Sequence, residues 1–229
     1  MKSSLLILLA SAATALANPE IASIVSQEFG AATSDGILLI QSGASPGEPE
    51  QWYVYARDPF RQGEVVRADI SQQGRSWTAK PNGAGARLLR ATPPAPIAFS
   101  RVKLRSYDVR AIASRAAVES KTTFSSIEYQ LAVNSPNGAP EWGLALLDGA
   151  GVEVGFLLIS AETGVINHQQ WANQALPPSG GVFGNKPQAG DRGSRAAQDV
   201  KDAARRAWNW TEGARKETKS FFKELFSRD

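Results

Sequence analysis

The 229-residue chain has no cysteine, one histidine and one methionine. Without cysteine it can form neither a disulfide nor a metal site with thiolate ligands, and the single histidine, His168, excludes a histidine-rich metal site built by this chain alone. The 25 Lys and Arg residues nearly balance the 22 Asp and Glu residues, for a formal net charge of +3. This balance lacks the concentrated positive charge of a nucleic-acid-binding surface, so we predict no nucleic-acid partner.

The sequence also lacks the short motifs of common enzyme sites. It contains no P-loop, dinucleotide-binding fingerprint, EF-hand loop or HExxH pair. Gly43-Ala44-Ser45-Pro46-Gly47 has the GxSxG spacing, but it is a turn cluster between two predicted strands, whereas a nucleophile elbow leads from a strand into a helix. His168 is followed by Gln169 and Gln170 and belongs to no motif that would pair it with a nucleophile. We therefore predict no cofactor, no metal, no catalytic residue and a protein that is not an enzyme. A hydrolase that uses His168 is the alternative.

Residues 1–17 have the three parts of a secretory signal peptide. Lys2 gives a positive start, Leu5–Leu9 an apolar run, and Ala15-Leu16-Ala17 a cleavage site of the small-x-small type. The apolar run is too short to span a bilayer. We predict cleavage after Ala17 and export of the mature chain. An exported chain without cysteine favours the bacterial periplasm or cell envelope.

Residues 142–165, WGLALLDGAGVEVGFLLISAETGV, organise the chain that follows the signal peptide. They predict a strand headed by Trp142, a turn at Asp148-Gly149, a second strand, and a tight turn at Thr163-Gly164. The second strand is apolar at nearly every position, which indicates that it is covered on both faces. We interpret Thr163 and Gly164 as structural turn residues and Trp142 as a core residue.

A similar segment, residues 52–74, WYVYARDPFRQGEVVRADISQQG, occurs earlier in the chain. In this alignment Trp52 matches Trp142, Asp58 matches Asp148, and Ile70-Ser71 matches Ile159-Ser160. We interpret the pair as an internal duplication and predict that Trp52 also fills the core. The alternative is two unrelated hairpins.

Each copy is preceded by a stretch whose apolar residues have helical spacing. The first stretch follows Asn18, which can cap its helix, and the second follows Ser106 or Asp108, either of which can cap the second helix. We predict an α+β fold of two tandem repeats, each a helix on a three-stranded antiparallel sheet, packed together or joined side by side in one continuous sheet. Strands are expected at 37–41, 51–57, 64–70, 127–133, 142–147 and 154–159, with a further short strand at 76–80 and an extended segment at 97–104.

The predicted boundaries are a signal peptide at 1–17, a first repeat at 18–80, a linker with connecting strands at 81–105, a second repeat at 106–176, a flexible linker at 177–194 and an amphipathic helical tail at 195–229. The linker is rich in Gly and Pro, and the tail is rich in Ala and in oppositely charged pairs four residues apart.

The second repeat resembles the PepSY family over residues 107–168. The resemblance is carried by Trp142 and by the run Ser160-Ala161-Glu162-Thr163-Gly164-Val165, although family members often have Asp where Ser160 stands. It implies a cystatin-like helix-on-sheet module in an exported or membrane-linked bacterial protein, acting by binding or inhibition. The first repeat keeps only the Trp and the turn, with Gln73-Gly74 in place of Thr-Gly.

The tail supplies the candidate contact residues for a partner. A stripe of apolar residues at helical spacing is joined by large aromatic side chains; the candidate binding residues are Trp208, Trp210, Phe221, Phe222, Leu225 and Phe226. This helix would dock on its own sheet or a partner helix, lie on a membrane surface, or stay solvated. We predict an exported protein- or peptide-binding or regulatory module of the envelope; the alternative is a peripheral membrane or envelope-structural protein attached by this tail.

Overall fold

A computed structural model describes residues 18–74, 76–85, 88–89, 92–134 and 138–172. The segments predicted as signal peptide, flexible linker and helical tail, including all six candidate contact residues of the tail, lie outside this part of the chain.

The described residues form three α-helices, one 3₁₀ helix and eight strands. In chain order they are α1 (Asn18–Phe29), α2 (Ala31–Asp35), β1 (Ile37–Gln41), β2 (Gln51–Arg57), β3 (Val65–Gln73), β4 (Ser76–Gly85), the 3₁₀ helix (Phe99–Arg101), α3 (Ser106–Glu119), β5 (Ser126–Val133), β6 (Pro140–Leu147), β7 (Glu153–Ser160) and β8 (Ile166–Trp171).

The eight strands form one antiparallel sheet in the order β4-β3-β2-β1-β5-β6-β7-β8. The first half contributes β1 to β4 and the second half β5 to β8, and the halves join where β1 pairs with β5, with Ile40 opposite Leu131. The predicted α+β class is confirmed, and of the two predicted arrangements the continuous sheet is the one observed. The prediction of three strands in each unit is wrong, because each half has four: the further short strand expected at 76–80 is the first part of β4, and β8 was not expected.

The helices and the main core lie on one face of this sheet, which we call the front face. Its side chains include Ile40 and Leu131 in the two central strands, and the buried residues of α1 and α3 pack onto it. The opposite face, which we call the back face, carries Leu39 opposite Ala132. Two-residue alternation along each strand assigns every other side chain to one of these faces.

The predicted core tryptophans lie at the centre of the front face. Trp52 is 1% exposed and Trp142 is fully buried. Both rings contact Tyr129, at centroid distances of 6.1 and 6.3 Å, and the two indoles are 6.3 Å apart. The indole N–H of Trp142 donates to the carbonyl of Leu104 at 3.1 Å. Both tryptophans are therefore core residues, as predicted.

Both predicted turns of the second half are also present. The Asp148 carboxylate accepts the N–H groups of Ala150 and Val152, each at 2.9 Å, and so holds the loop that contains Gly149. Gly164 has φ +77°, a conformation that glycine adopts without steric cost, and its N–H donates to Ser160. The Thr163 hydroxyl accepts the N–H of Val165 at 3.4 Å. These residues shape the hairpins.

Two local predictions are corrected. The residue that caps α3 is Arg105; Ser106 is the first helical residue, and the Asp108 carboxylate accepts the N–H of Arg105 at 2.9 Å from within the first turn. The 97–104 segment does not form a strand but contains the 3₁₀ helix, and its Ile97 N–H donates to the carbonyl of Ile37.

Candidate functional site

An apolar pocket opens on the front face of the first half, between α1, α2 and strands β2 to β4. We call it the α1 pocket; its volume is about 470 Å³. Pockets of this size are typical of small-molecule and side-chain binding sites. Its lining includes Val25, Phe29 and Thr33 from the helices, Val54, Ala56, Val66, Ala68, Pro81, Gly83 and Ala84 from the strands, and Asp58, Pro59 and Phe60 from the β2–β3 loop.

The strand registers of the two halves show why the pocket exists. Trp52 lies opposite Ile70 on β2 and β3, and Trp142 lies opposite Ile159 on β6 and β7. Moving along both halves from these anchors gives matching front-face positions. Five pocket residues pair with their counterparts as follows: Val54 and Leu144, Ala56 and Leu146, Ala68 and Leu157, Val66 and Gly155, Ala84 and Trp171. Four of the five pairs carry the smaller side chain in the first half.

In the second half, the indole of Trp171 fills the corresponding volume. Trp171 is 1% exposed and lies over Gly155, where an added Cβ would approach two ring carbons of the indole to 2.6 Å. In the first half Val66 takes part of this space, but Ala84 replaces the indole and Ala56 and Ala68 replace two leucines. The front face is therefore closed in one half and open in the other.

Phe60 stands at the entrance to the pocket and is 93% exposed, the highest value among the large hydrophobic side chains of the described residues. The loop that carries it is ordered, because the Asp58 carboxylate accepts the N–H groups of Phe60 at 2.8 Å and Arg61 at 3.2 Å. The N–H of Asp58 also donates to the carbonyl of Glu64 at 3.0 Å, and this bond closes the loop. An exposed aromatic ring is thus held beside an apolar pocket.

Arg67 is the basic residue in the lining of this pocket, and its charge faces away from it. Although the chain at Arg67 borders the pocket, its guanidinium lies on the back face, where it bonds both carboxylate oxygens of Asp69 at 2.8 and 3.2 Å. The same guanidinium lies 4.6 Å from the ring centre of Tyr53. Burial, followed by the charge of Asp69, raises the pKa of Tyr53 above its usual value. The described residues therefore give the pocket no unpaired cation.

A polar row on the back face is a second candidate. Gln41 and Gln130 are cross-strand neighbours at the centre of the sheet, and the amide of Gln41 donates to the Tyr55 hydroxyl at 3.1 Å. Gln130 is 4% exposed, and its side-chain oxygen has no hydrogen-bond partner among the described residues. At Gly143, the neighbour of Gln130 on β6, an added Cβ would be in ordinary contact with Leu158 at 3.6 Å. This row offers polar groups but no cavity.

The two edges of the sheet differ in chemistry. On β4, Lys80 and Pro81 are exposed, and a register irregularity accompanies Gly83 at φ +99°. Charged residues, proline and bulges are features that prevent an edge from pairing with another strand. On β8, INHQQW has no Lys, Arg, Asp, Glu, Pro or Gly. Of the two edges that the described residues form, β8 is the one without these protections, apart from an irregularity beside Ile166.

The backbone groups that β8 directs outward follow from its pairing. The N–H of Ala172 donates to the carbonyl of Val154 at 3.0 Å, in register with the pairing of Phe156 and Gln170. Hydrogen-bonded and non-bonded pairs alternate along antiparallel strands, so His168 and Gln170 bond β7. Gln169 and Trp171 direct their backbone N–H and C=O groups toward the open edge.

His168 lies half-buried on β8, opposite Leu158 on the back face, and its ring centre is 6.3 Å from that of Phe156. These two neighbours are apolar. The six tail residues predicted to contact a partner lie outside the described part of the chain, and the described motif residues Trp52, Trp142, Asp148, Gly149, Thr163 and Gly164 are core and turn residues that do not line the pocket.

Sequence reasoning missed both the pocket and the β8 edge. The alignment of residues 52–74 with residues 142–165 already contained part of the signal for the pocket, because it places Ala56 against Leu146 and Ala68 against Leu157. The decisive pair, Ala84 and Trp171, lies on strands beyond the aligned segments.

Among the described residues, no group of three or more His, Asp and Glu side chains is placed to hold a metal ion. No helix within that part of the chain is long and apolar enough to cross a membrane. Comparison of the chain with protein-family models, with curated proteins and with solved structures finds no match.

Proposed function

We propose that the chain is an exported, non-enzymatic module that binds a protein or peptide partner by strand addition at β8. The observation that carries the proposal is the unprotected edge itself. Gln169 and Trp171 direct backbone donors and acceptors outward from a strand that has no charge and no proline. In strand addition an extended segment supplies the missing partners for these groups.

The contrast with the other edge supports this choice of β8. The two edge strands end the same sheet, yet only β4 carries an exposed lysine, an exposed proline and a glycine bulge. An edge without such features also exposes a protein to aggregation. A partner that covers β8 would remove that liability.

We further propose that the two halves are copies of one PepSY-like, cystatin-like unit. Each half is a helical segment followed by four antiparallel strands, and the Trp–Ile pairs, Trp52 with Ile70 and Trp142 with Ile159, occupy matching positions. The resemblance implies a binding or inhibitory role, and residues 1–17 imply a place in the cell envelope. A partner in that compartment fits both implications.

The test uses full-length protein recovered after export, whose sequenced N-terminus is expected at Asn18. A displayed library of random decapeptides is panned against it, and amide hydrogen exchange is then measured with and without a selected peptide. We expect slower exchange at Gln169 and Trp171, because these N–H groups gain acceptors on strand addition.

A proline at position 169 provides the specific variant. Gln169→Pro removes one outward N–H without removing a bond to β7, and proline is tolerated at an edge position of this kind. We expect it to weaken the selected peptides at least tenfold, whereas Gln169→Ala, which keeps the N–H, binds normally. Failure to enrich any peptide, or protection that appears away from β8, would refute the proposal.

A further inference from the structure

We propose that the α1 pocket is a binding site for a small, neutral aromatic molecule of about the size of indole. This site is separate from the β8 edge and does not depend on partner binding there, since the two lie in opposite halves of the sheet.

The second half of the sheet indicates the size and shape of the ligand. There the matching volume is occupied by the indole of Trp171, which lies over Gly155, where an added Cβ would come within 2.6 Å of two of its ring carbons. The first half lacks this ring at Ala84 and has alanines at two leucine positions. The pocket therefore has room for a flat ring system, with Val66 in its lining.

The electrostatics indicate that the ligand is neutral. The nearest guanidinium, that of Arg67, is directed to the back face and bonded to Asp69. The one carboxylate at the rim, Asp58, already accepts two backbone N–H groups. Burying a charge without a partner is costly, so a carboxylate on the ligand would find no compensation here.

Phe60 gives the pocket an aromatic rim. Its ring is 93% exposed in the free protein, and a bound ring would cover part of this apolar surface. Aromatic pairs prefer offset or edge-to-face contacts and gain stability beyond the area they bury. Phe60 should therefore contribute to binding while contributing little to the fold.

The experiment is an NMR titration of the full-length protein with indole, followed by amide chemical shifts. We expect saturable shifts centred on the amides of Val54, Ala56, Ala68 and Ala84. Indole-3-acetate, which adds a carboxylate to the same ring, is expected to bind at least tenfold more weakly.

Two kinds of variant test the location. Ala56→Leu combined with Ala68→Leu restores the leucines of the second half and should abolish the shifts. Ala111→Leu, the same change at an exposed position of α3, should leave them intact. If the double variant fails to fold, Phe60→Ala still tests the location. Because the Phe60 ring is exposed, this variant should fold normally, and it should bind indole at least threefold more weakly than the wild type.

Unchanged indole affinity in a folded double-leucine variant, or in Phe60→Ala, would overturn the proposal. So would shifts that centre on the back face, or the absence of saturable shifts at the solubility limit of indole. Gln169→Pro should bind indole like the wild type, so failure at β8 and failure at the pocket can be told apart.

Discussion

Replacing Gly155 by alanine tests the packing that closes the second half of the sheet. The added Cβ would lie 2.6 Å from two ring carbons of Trp171 and 3.4 Å from the Leu146 side chain. The indole cannot swing away freely, because Trp171 is 1% exposed and part of the main core. The strand or the ring must shift to admit one methyl group.

The expected cost follows from two opposing effects. Inserting a methyl group into a packed core typically costs about 1–3 kcal/mol. Replacing glycine by alanine recovers about 0.4–1 kcal/mol by restricting the unfolded chain. Gly155→Ala should therefore lower the free energy of unfolding by about 1–2 kcal/mol, a fall in melting temperature of roughly 2–8 °C for a chain of this length.

Urea unfolding followed by far-ultraviolet circular dichroism measures this change. Gly143→Ala is the matched control, since it is also a buried strand glycine but its Cβ would make ordinary contacts at 3.6 Å or more. The control should be neutral or slightly stabilising. A double variant with Trp171→Ala, which alone should cost about 3–5 kcal/mol, should be more stable than the sum of the single changes by about 1 kcal/mol. Strict additivity would refute the contact.

Two further predictions concern the turn after β7 and the central tyrosine. Gly164→Ala should lower the free energy of unfolding by about 1–2 kcal/mol, because φ is +77° and the added Cβ would lie 3.2 Å from Ile112 and Leu104. Gly149→Ala is the control, since a Cβ there would meet nothing within 4 Å. Equal stability of the two variants in urea unfolding would contradict the strain at Gly164. Burial raises the pKa of Tyr129 above its usual value, so its stabilising contribution is present below pH 10 and is lost as pH rises through the folded-state pKa. Above pH 10 the free energy of unfolding should fall less steeply with pH in Tyr129→Phe than in the wild type. The two slopes should differ by at most about 1.4 kcal/mol per pH unit. Identical slopes, measured by urea unfolding at a series of alkaline pH values, would contradict this.

Local structure was the part most open to prediction from sequence. Asp148 bonds nearby backbone N–H groups and Gly164 takes a positive φ, so both turns depend on residues within a few positions of one another. The core tryptophans were likewise predictable, because a large aromatic side chain at the start of an apolar strand is usually buried in the core. The strands β1, β2, β3, β5, β6 and β7 follow from the same short-range patterns.

Strand number was harder to predict because it depends on pairing. A short strand was expected at 76–80, but β4 continues to Gly85 through Pro, Asn and Gly residues that have no apolar periodicity, and this part is a strand because β3 offers an edge to bond. The polar β8 becomes a strand against β7 in the same way. Backbone hydrogen bonds to a neighbouring strand do not require a particular side-chain pattern, so no local signal marks them.

The sequence by itself determined the α+β class, the two hairpins with their turns, and the burial of Trp52 and Trp142, because each rests on propensities and periodicities read over a few residues. Only the tertiary structure decided that β1 pairs with β5, that Trp171 closes over Gly155, and that Ala84 leaves a pocket in the matching place. These features depend on which distant side chains meet across the sheet. Both candidate binding sites, the β8 edge and the α1 pocket, belong to this second group.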